Sequence, residues 1–210
     1  TPRAIAPGAP EVGTAVLGAR TGYVGAAACG RCHDDSYADW TGTTHHLGAR
    51  EWQRAGLTGL SMVNDANGNG RDDFRDARNL AGDALFAGIA DAPRLAYVAG
   101  DPLPYKVTIG GVRYDVAATA GGNGIHQQSY LARIGDALYP LPFEYDELRR
   151  AYAPFETAHW YGPGGAALHA TAAAVPPAAS YEVRCAGCHA TGLVLEARPT
   201  GEIVGGHAEP

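Results

Sequence analysis

Every cysteine in this chain falls in one of two copies of Cys-x-x-Cys-His: Cys29-Gly30-Arg31-Cys32-His33, and Cys185-Ala186-Gly187-Cys188-His189. This is the attachment pattern of c-type haem. The two thiols add across the two vinyl groups of one porphyrin, and the His after the second Cys reaches the iron as proximal ligand. Such a chain need not build its whole core from side chains, because two haem c groups supply a large apolar body of their own. Histidine occupies 8 of 210 positions, too few for composition to place one directly after each Cys pair.

Other uses of paired cysteines fit less well. A thioredoxin-like redox pair calls for one Cys-x-x-Cys at a strand-to-helix turn of a βαβ unit; here there are two, both followed by His, and no such unit. One zinc site built from both pairs is geometrically allowed. It would not require His33 and His189, and its halves would lie far apart in the chain. Two disulfides would each close a very small loop and gain little.

Composition narrows the class. A chain of 210 residues suits one domain, or one domain with arms. Its 29 Gly and 14 Pro favour turns over long helices. The net charge of -6 argues against nucleic acid as a partner, which calls for a basic stripe. No run of 18 apolar residues exists, so no membrane-spanning helix is expected. The chain starts at Thr1 with no apolar leader, and is expected to be a mature product whose signal has been removed. Haem c is generally attached outside the cytoplasm, which places the chain in the periplasm or outside the cell.

Along the chain, residues 1–22 read as an extended N-terminal arm, 23–195 as a dihaem domain, and 196–210 as a C-terminal tail. Tyr37 and Trp40 lie at i, i+3 on one face of a short helix after the first motif. Residues 51–63, the Ala/Leu-rich stretch up to about Ala90, and part of 143–160 are expected to be helical. Tyr105–Ile109 and Val112–Val116 alternate around Gly110-Gly111, a two-residue hairpin signal. Ser129–Ile134 and Ala137–Leu141 flank Gly135-Asp136 in the same way. The expected fold class is α+β with little regular secondary structure: short helices around two covalent haems, plus small β-hairpins.

Each iron needs a second axial group or an open site. Met62 is the only methionine, so at most one haem could be His/Met. Six histidines remain beside the proximal pair: His45, His46, His126, His159, His169 and His207. They are ample for bis-His ligation of both.

Three blocks resemble the multihaem c-type cytochromes of bacteria and archaea. They are Cys29-x-x-Cys32-His33 followed by Tyr37, Trp40, Thr43 and His45; Gly124-Ile125-His126-Gln127-Gln128-Ser129-Tyr130-Leu131, leading to Leu141-Pro142; and Cys185 to Gly192. The resemblance implies His45 and His126 as distal ligands; Trp40 and Tyr130, aromatics close to them in the chain, are expected to pack on haem. Members often carry four or more motifs and this chain has two, so the assignment of each His to an iron does not transfer.

A separate element, Asp65-Ala66-Asn67-Gly68-Asn69-Gly70-Arg71-Asp72-Asp73-Phe74-Arg75-Asp76, is similar to an EF-hand-type or dockerin-type calcium loop. Oxygen side chains fall at positions 1, 3, 5, 9 and 12 (Asp65, Asn67, Asn69, Asp73, Asp76). The Arg71 carbonyl serves at position 7, and Gly70 sits at the sharp turn. Position 12 is Asp rather than Glu, and position 8 is Asp72 rather than an apolar residue. An ordinary Asn/Gly-rich surface turn is the alternative.

The expected function is electron transfer by a secreted dihaem cytochrome with two haem c groups and Ca2+, acting on redox partner proteins or extracellular acceptors. The resemblance adds assembly into a homo-oligomer or an extracellular filament. The alternative is a dihaem oxidoreductase with one open haem site, peroxidase-like or acting on a sulfur or nitrogen compound.

Overall fold

At Gly110-Gly111 both residues take left-handed backbone angles, φ +55° and +81°. A two-residue turn needs this if its twist is to match that of the strands it joins. A Cβ on Gly110 would also stand 2.4 Å from the Ala167 Cβ, so glycine is required there by space as well. The turn joins β4 (Tyr105–Ile109) to β5 (Val112–Gly121). A second turn at Gly135-Asp136 joins β6 (Gln127–Ile134) to β7 (Ala137–Asp146).

The structure is a computed structural model, and it describes residues 15–17, 26–41, 49–51, 64–121, 127–185, 191–197 and 203–209. His45, His126, Cys188 and His189 lie outside the described residues, as does most of the segment 51–63.

Among the described residues the two hairpins are parts of one seven-stranded antiparallel sheet rather than separate small hairpins. Its order is β3 (Arg94–Tyr97), β4, β5, β6, β7, β8 (Ala151–Pro154). The first half of β5 pairs with β4; on the same edge, β2 (Ala49–Glu51) pairs with its second half. Pairing of β6 with β7 shifts register between Ser129 and Leu131, opposite Pro140–Glu144. Pro140 and Pro142 have no N–H to give the ladder, so an irregularity there costs the sheet no further bonds.

Helices are few and short: α1 (Ala26–Cys29), α2 (Asp34–Thr41) and α3 (Tyr181–Arg184). Two expectations need correction. The Ala/Leu-rich stretch forms only the 3-10 turns Leu80–Gly82 and Ala84–Phe86. Of residues 143–160, expected to be helical in part, only the 3-10 turn Thr157–His159 is helical; the segment otherwise completes β7 and forms β8. Burial overrides helical spacing here, since Phe143, Tyr145 and Tyr152 are needed on one face of the sheet.

That face carries the main core. Tyr105, Val107, Ile109, Tyr114, Val116, Tyr130, Leu141, Phe143, Tyr145 and Tyr152 project into it, and Phe74, Leu80, Phe86 and Trp160 cover them from loops and turns. Ring contacts run through it, with Phe74 edge-on to Tyr105 at 5.1 Å and Tyr130 stacked on Phe143 at 4.8 Å. Tyr130 is therefore fully enclosed by protein, and the expectation that it packs on haem is corrected.

The opposite face bears a smaller cluster of Ala118, Leu131 and Tyr181, with Ala120, Leu138 and Cys185 against it. A second sheet joins β1 (Ala15–Leu17), β9 (Thr191–Ala197) and β10 (Ile203–Glu209) in the order β1-β9-β10. Parts of the expected arm and tail are thus strands paired to β9. No helix among the described residues is long and apolar enough to cross a membrane.

Candidate haem attachment segments and loop site

The first motif is wound into a helical turn. Cys29 C=O accepts from Cys32 N–H at 3.2 Å and from His33 N–H at 3.0 Å, and His33 C=O accepts from Tyr37 N–H at 2.9 Å. Residues three and four apart share a helix face, so the turn brings Cys29, Cys32 and His33 to one side. Both cysteines are free and exposed. No residue of α2 is buried. Tyr37 and Trp40 lean on each other, 5.7 Å between ring centres, and the Tyr37 ring lies so close over Gly30 that a Cβ there would meet it at 2.7 Å. Two exposed thiols in a helical turn, followed by two aromatic rings on a helix that buries no residue, fit a large planar apolar group attached at those thiols. The residues present therefore fit haem c.

The second motif begins where α3 meets the back of the sheet. Ser180 caps α3, its Oγ accepting from Val183 N–H at 3.4 Å. The buried Glu182 carboxylate accepts from Leu138 N–H of β7 at 3.0 and 3.3 Å. Cys185 is half-buried and packed against the Ala118/Leu131/Tyr181 cluster. The described cysteines of the two motifs therefore differ: Cys29 and Cys32 are exposed, whereas Cys185 is half-buried against the sheet.

Burial holds the Glu182 carboxyl above its ordinary range, against the opposing pull of its hydrogen bonds and of Arg133. The folded chain thus binds that proton more tightly than the unfolded one. This stabilisation is full below the unfolded value of 4.5 and is lost as pH rises through the folded value. Glu182→Gln keeps the acceptor for Leu138 and removes the charge. Its melting temperature should exceed that of the parent chain at pH 8, and the gap should close below about pH 4.5. Equal pH profiles for the two proteins would refute the assignment.

Two of the remaining histidines have ring nitrogens engaged by the protein. His169 Nε2 lies 2.6 Å from His159 C=O, with its ring edge-on to Trp160. Arg184 Nη1 meets His159 Nε2; arginine only donates, so this nitrogen is the acceptor. Both serve local structure.

The 65–76 loop is folded by its own side chains. Asp65 accepts from Asn69 N–H at 3.0 Å and Gly70 N–H at 2.8 Å, Asn67 Oδ1 from Asn69 N–H at 3.0 Å, and Asn69 Oδ1 from Arg71 N–H at 2.8 Å. Gly70 has φ +81°, the angle its place in the loop demands. The amides of Asn67 and Asn69 reach Asp76 Oδ2. Backbone donors, Gly70 N–H first, hold Asp65 below its usual range, and the Asn69 amide does the same for Asp76. Arg71 Nε lies 3.1 Å from Asp76, and Arg150 Nη2 lies 2.8 Å from Asp65 C=O.

Asp73 is placed differently. It is fully buried, accepts from Ala66 N–H at 2.7 Å and from the Tyr152 hydroxyl at 3.2 Å, and lies 3.5 Å from Arg78. Among the described residues, no group of three or more His, Cys, Asp or Glu is arranged to hold a metal ion. The loop's oxygens come from Asp65, Asn67, Asn69 and Asp76, with Asp73 turned inward.

Sequence reasoning missed what the base of this loop does. The Asn64 amide donates to Gln128 Oε1 at 2.9 Å and to the Tyr130 hydroxyl, all three buried. Gln128 stands two residues after His126, so the loop is tied to the strand that follows that histidine.

Comparison with known proteins bears on the first segment. Residues 28–76 match the family described as cytochrome c554 and c-prime, a stretch holding the first motif and the whole 65–76 loop. No curated protein matches the chain. Among solved structures, outer cell wall cytochrome OcwA matches with a TM-score of 0.46 and 16% identity, over 88% of this chain and 29% of that one. The chain thus spans less than a third of the length of that structure. The family match supports a c-type cytochrome character and, with it, haem c and electron transfer.

Proposed function

We propose that this chain is a secreted electron carrier holding two haem c groups, attached at Cys29 and Cys32 and at Cys185 and Cys188. The observation that carries this reading is the helical turn that sets two exposed thiols and His33 on one side, beside an aromatic pair that the protein covers only in part. Haem c supplies iron that cycles between Fe(III) and Fe(II) without making or breaking a bond in a substrate. The chain's part is to hold His33 and His189 as proximal ligands and His45 and His126 as distal ones. Two histidines on each iron would leave no site open for a substrate. Redox proteins or extracellular acceptors are the partners. Linking of copies into a longer wire belongs to the same reading, and the outer strands β1 and β10 of the three-stranded sheet offer edges for strand addition.

The test is the ferric and ferrous absorption spectrum with and without CO. Two low-spin haems that refuse CO are expected. One haem that binds CO in the unaltered chain would turn the reading towards a dihaem oxidoreductase. His126→Ala should make one haem high-spin or CO-binding and leave the other unchanged.

The 65–76 loop is proposed to bind calcium through Asp65, Asn67, Asn69, the Arg71 carbonyl and Asp76, with Asp73 bracing the loop from inside. A site with Kd of about 10⁻⁴ to 10⁻³ M would stabilise the folded chain by about 1.4–2.7 kcal/mol in about 10 mM calcium. Melting with chelator and with added calcium, beside Asp65→Ala, checks this. One melting temperature in all of these would leave a plain turn.

A further inference from the structure

Arg184 stands immediately before Cys185. Its side chain reaches away from α3 to the corner after β8, where Nη2 lies 2.7 Å from Glu156 Oε2 and Nη1 meets His159 Nε2. Glu156 holds a left-handed backbone, φ +49°, which a residue other than glycine keeps only where its surroundings demand it. His159 is fixed in turn by its carbonyl contact with His169. Arg184 directly precedes Cys185 in the chain, so this ion pair is anchored on the residue that leads into the second attachment segment.

We infer that Glu156 and Arg184 are positioning residues for the second attachment segment, and that their opposed charges set the reduction potential there. This rests on the proposed haem at Cys185 and Cys188. A fixed cation favours the reduced, less positive iron and a fixed anion favours the oxidised one. Nothing comparable braces the first motif among the described residues: the charges nearest it, Arg31, Asp34 and Asp35, are exposed. The pair therefore distinguishes the two redox steps. Both partners are about one-third exposed (34% and 32%), so salt should weaken their influence.

The experiment is redox titration of the full chain carrying both haems, at low and high salt, comparing the parent with Glu156→Gln, Arg184→Gln and Arg184→Lys. One step should move upward in Glu156→Gln and downward in Arg184→Gln, while the other step stays put. Arg184→Lys, which keeps the charge, should lie nearer the parent than Arg184→Gln does. The shifts should shrink at high salt. A merely structural brace would loosen the same segment in both neutral variants and move the step in one direction; that result, or no movement, overturns the inference. If Arg184→Gln cannot be obtained with two haems, Glu156→Gln and Arg184→Lys decide: an unmoved step in the first, or a shift in the second as large as in the first, overturns it. An unaltered chain lacking a second covalent haem would defeat the proposed function instead, and the mass of the parent protein shows which has failed.

Discussion

Changing Cys29 and Cys32 together to serine should remove one of the two proposed covalent haems and leave the other. A serine hydroxyl does not add to a vinyl group as a thiolate does, and each motif serves its own porphyrin. Intact mass after denaturation should show one haem increment in place of two. Cys185→Ser with Cys188→Ser should give the mirror result. The structure adds an asymmetry. Among the described residues the main core contains none from 28–41, so the first double variant should keep its sheet, with an unchanged strand signal in far-ultraviolet circular dichroism. Tyr37 and Trp40 would then have no apolar body to cover them. The second double variant acts on a segment packed against Leu131 and Tyr181 and should cost more stability. An unaltered mass in either variant, or loss of both haems from the first, would contradict independent attachment.

Trp160→Ala should be the most damaging single change in the protein-built core. Its ring is 2% exposed and lies edge-on to Tyr114 at 5.1 Å and to His169 at 6.0 Å. Its Nε1–H donates to Pro140 C=O at 3.0 Å, beside the irregular stretch of β7. Truncation leaves a cavity and a buried carbonyl without its donor. The expected loss is about 3–5 kcal/mol, read from denaturant unfolding. The loss should also loosen the His169–His159 contact, and with it the brace on Arg184, so the second haem's spectrum should broaden before the first changes. A loss under about 1 kcal/mol would mean that the corner collapses to fill the space.

The two hairpins were legible because turn chemistry is local: Gly110-Gly111 and Gly135-Asp136 carry their backbone requirement in two residues each. Their union into one sheet was not legible, because β5, β6 and β7 mix buried polar residues such as Gln128 and Thr119 with prolines, which blurs the alternation. Residues 143–160 misled for a related reason. Their aromatic spacing suits a helix as readily as a strand, and only burial of Phe143, Tyr145 and Tyr152 on one face decides between them. In the loop, the turn-forming oxygens of Asp65, Asn67 and Asn69 follow from spacing alone. The inward turn of Asp73 depends on Tyr152, 79 positions away.

The sequence by itself carried the attachment motif on which the proposed haem chemistry rests, since two thiols and a histidine within five residues need nothing beyond one helical turn. It determined the tight turns and the oxygen-rich loop on the same principle, that φ/ψ and side-chain reach over a few residues are settled locally. Only the tertiary structure decided that Tyr130 belongs to the sheet core and that Arg184 reaches Glu156 across 28 positions. Those outcomes depend on which apolar surfaces are buried together, and burial couples residues that no local spacing connects.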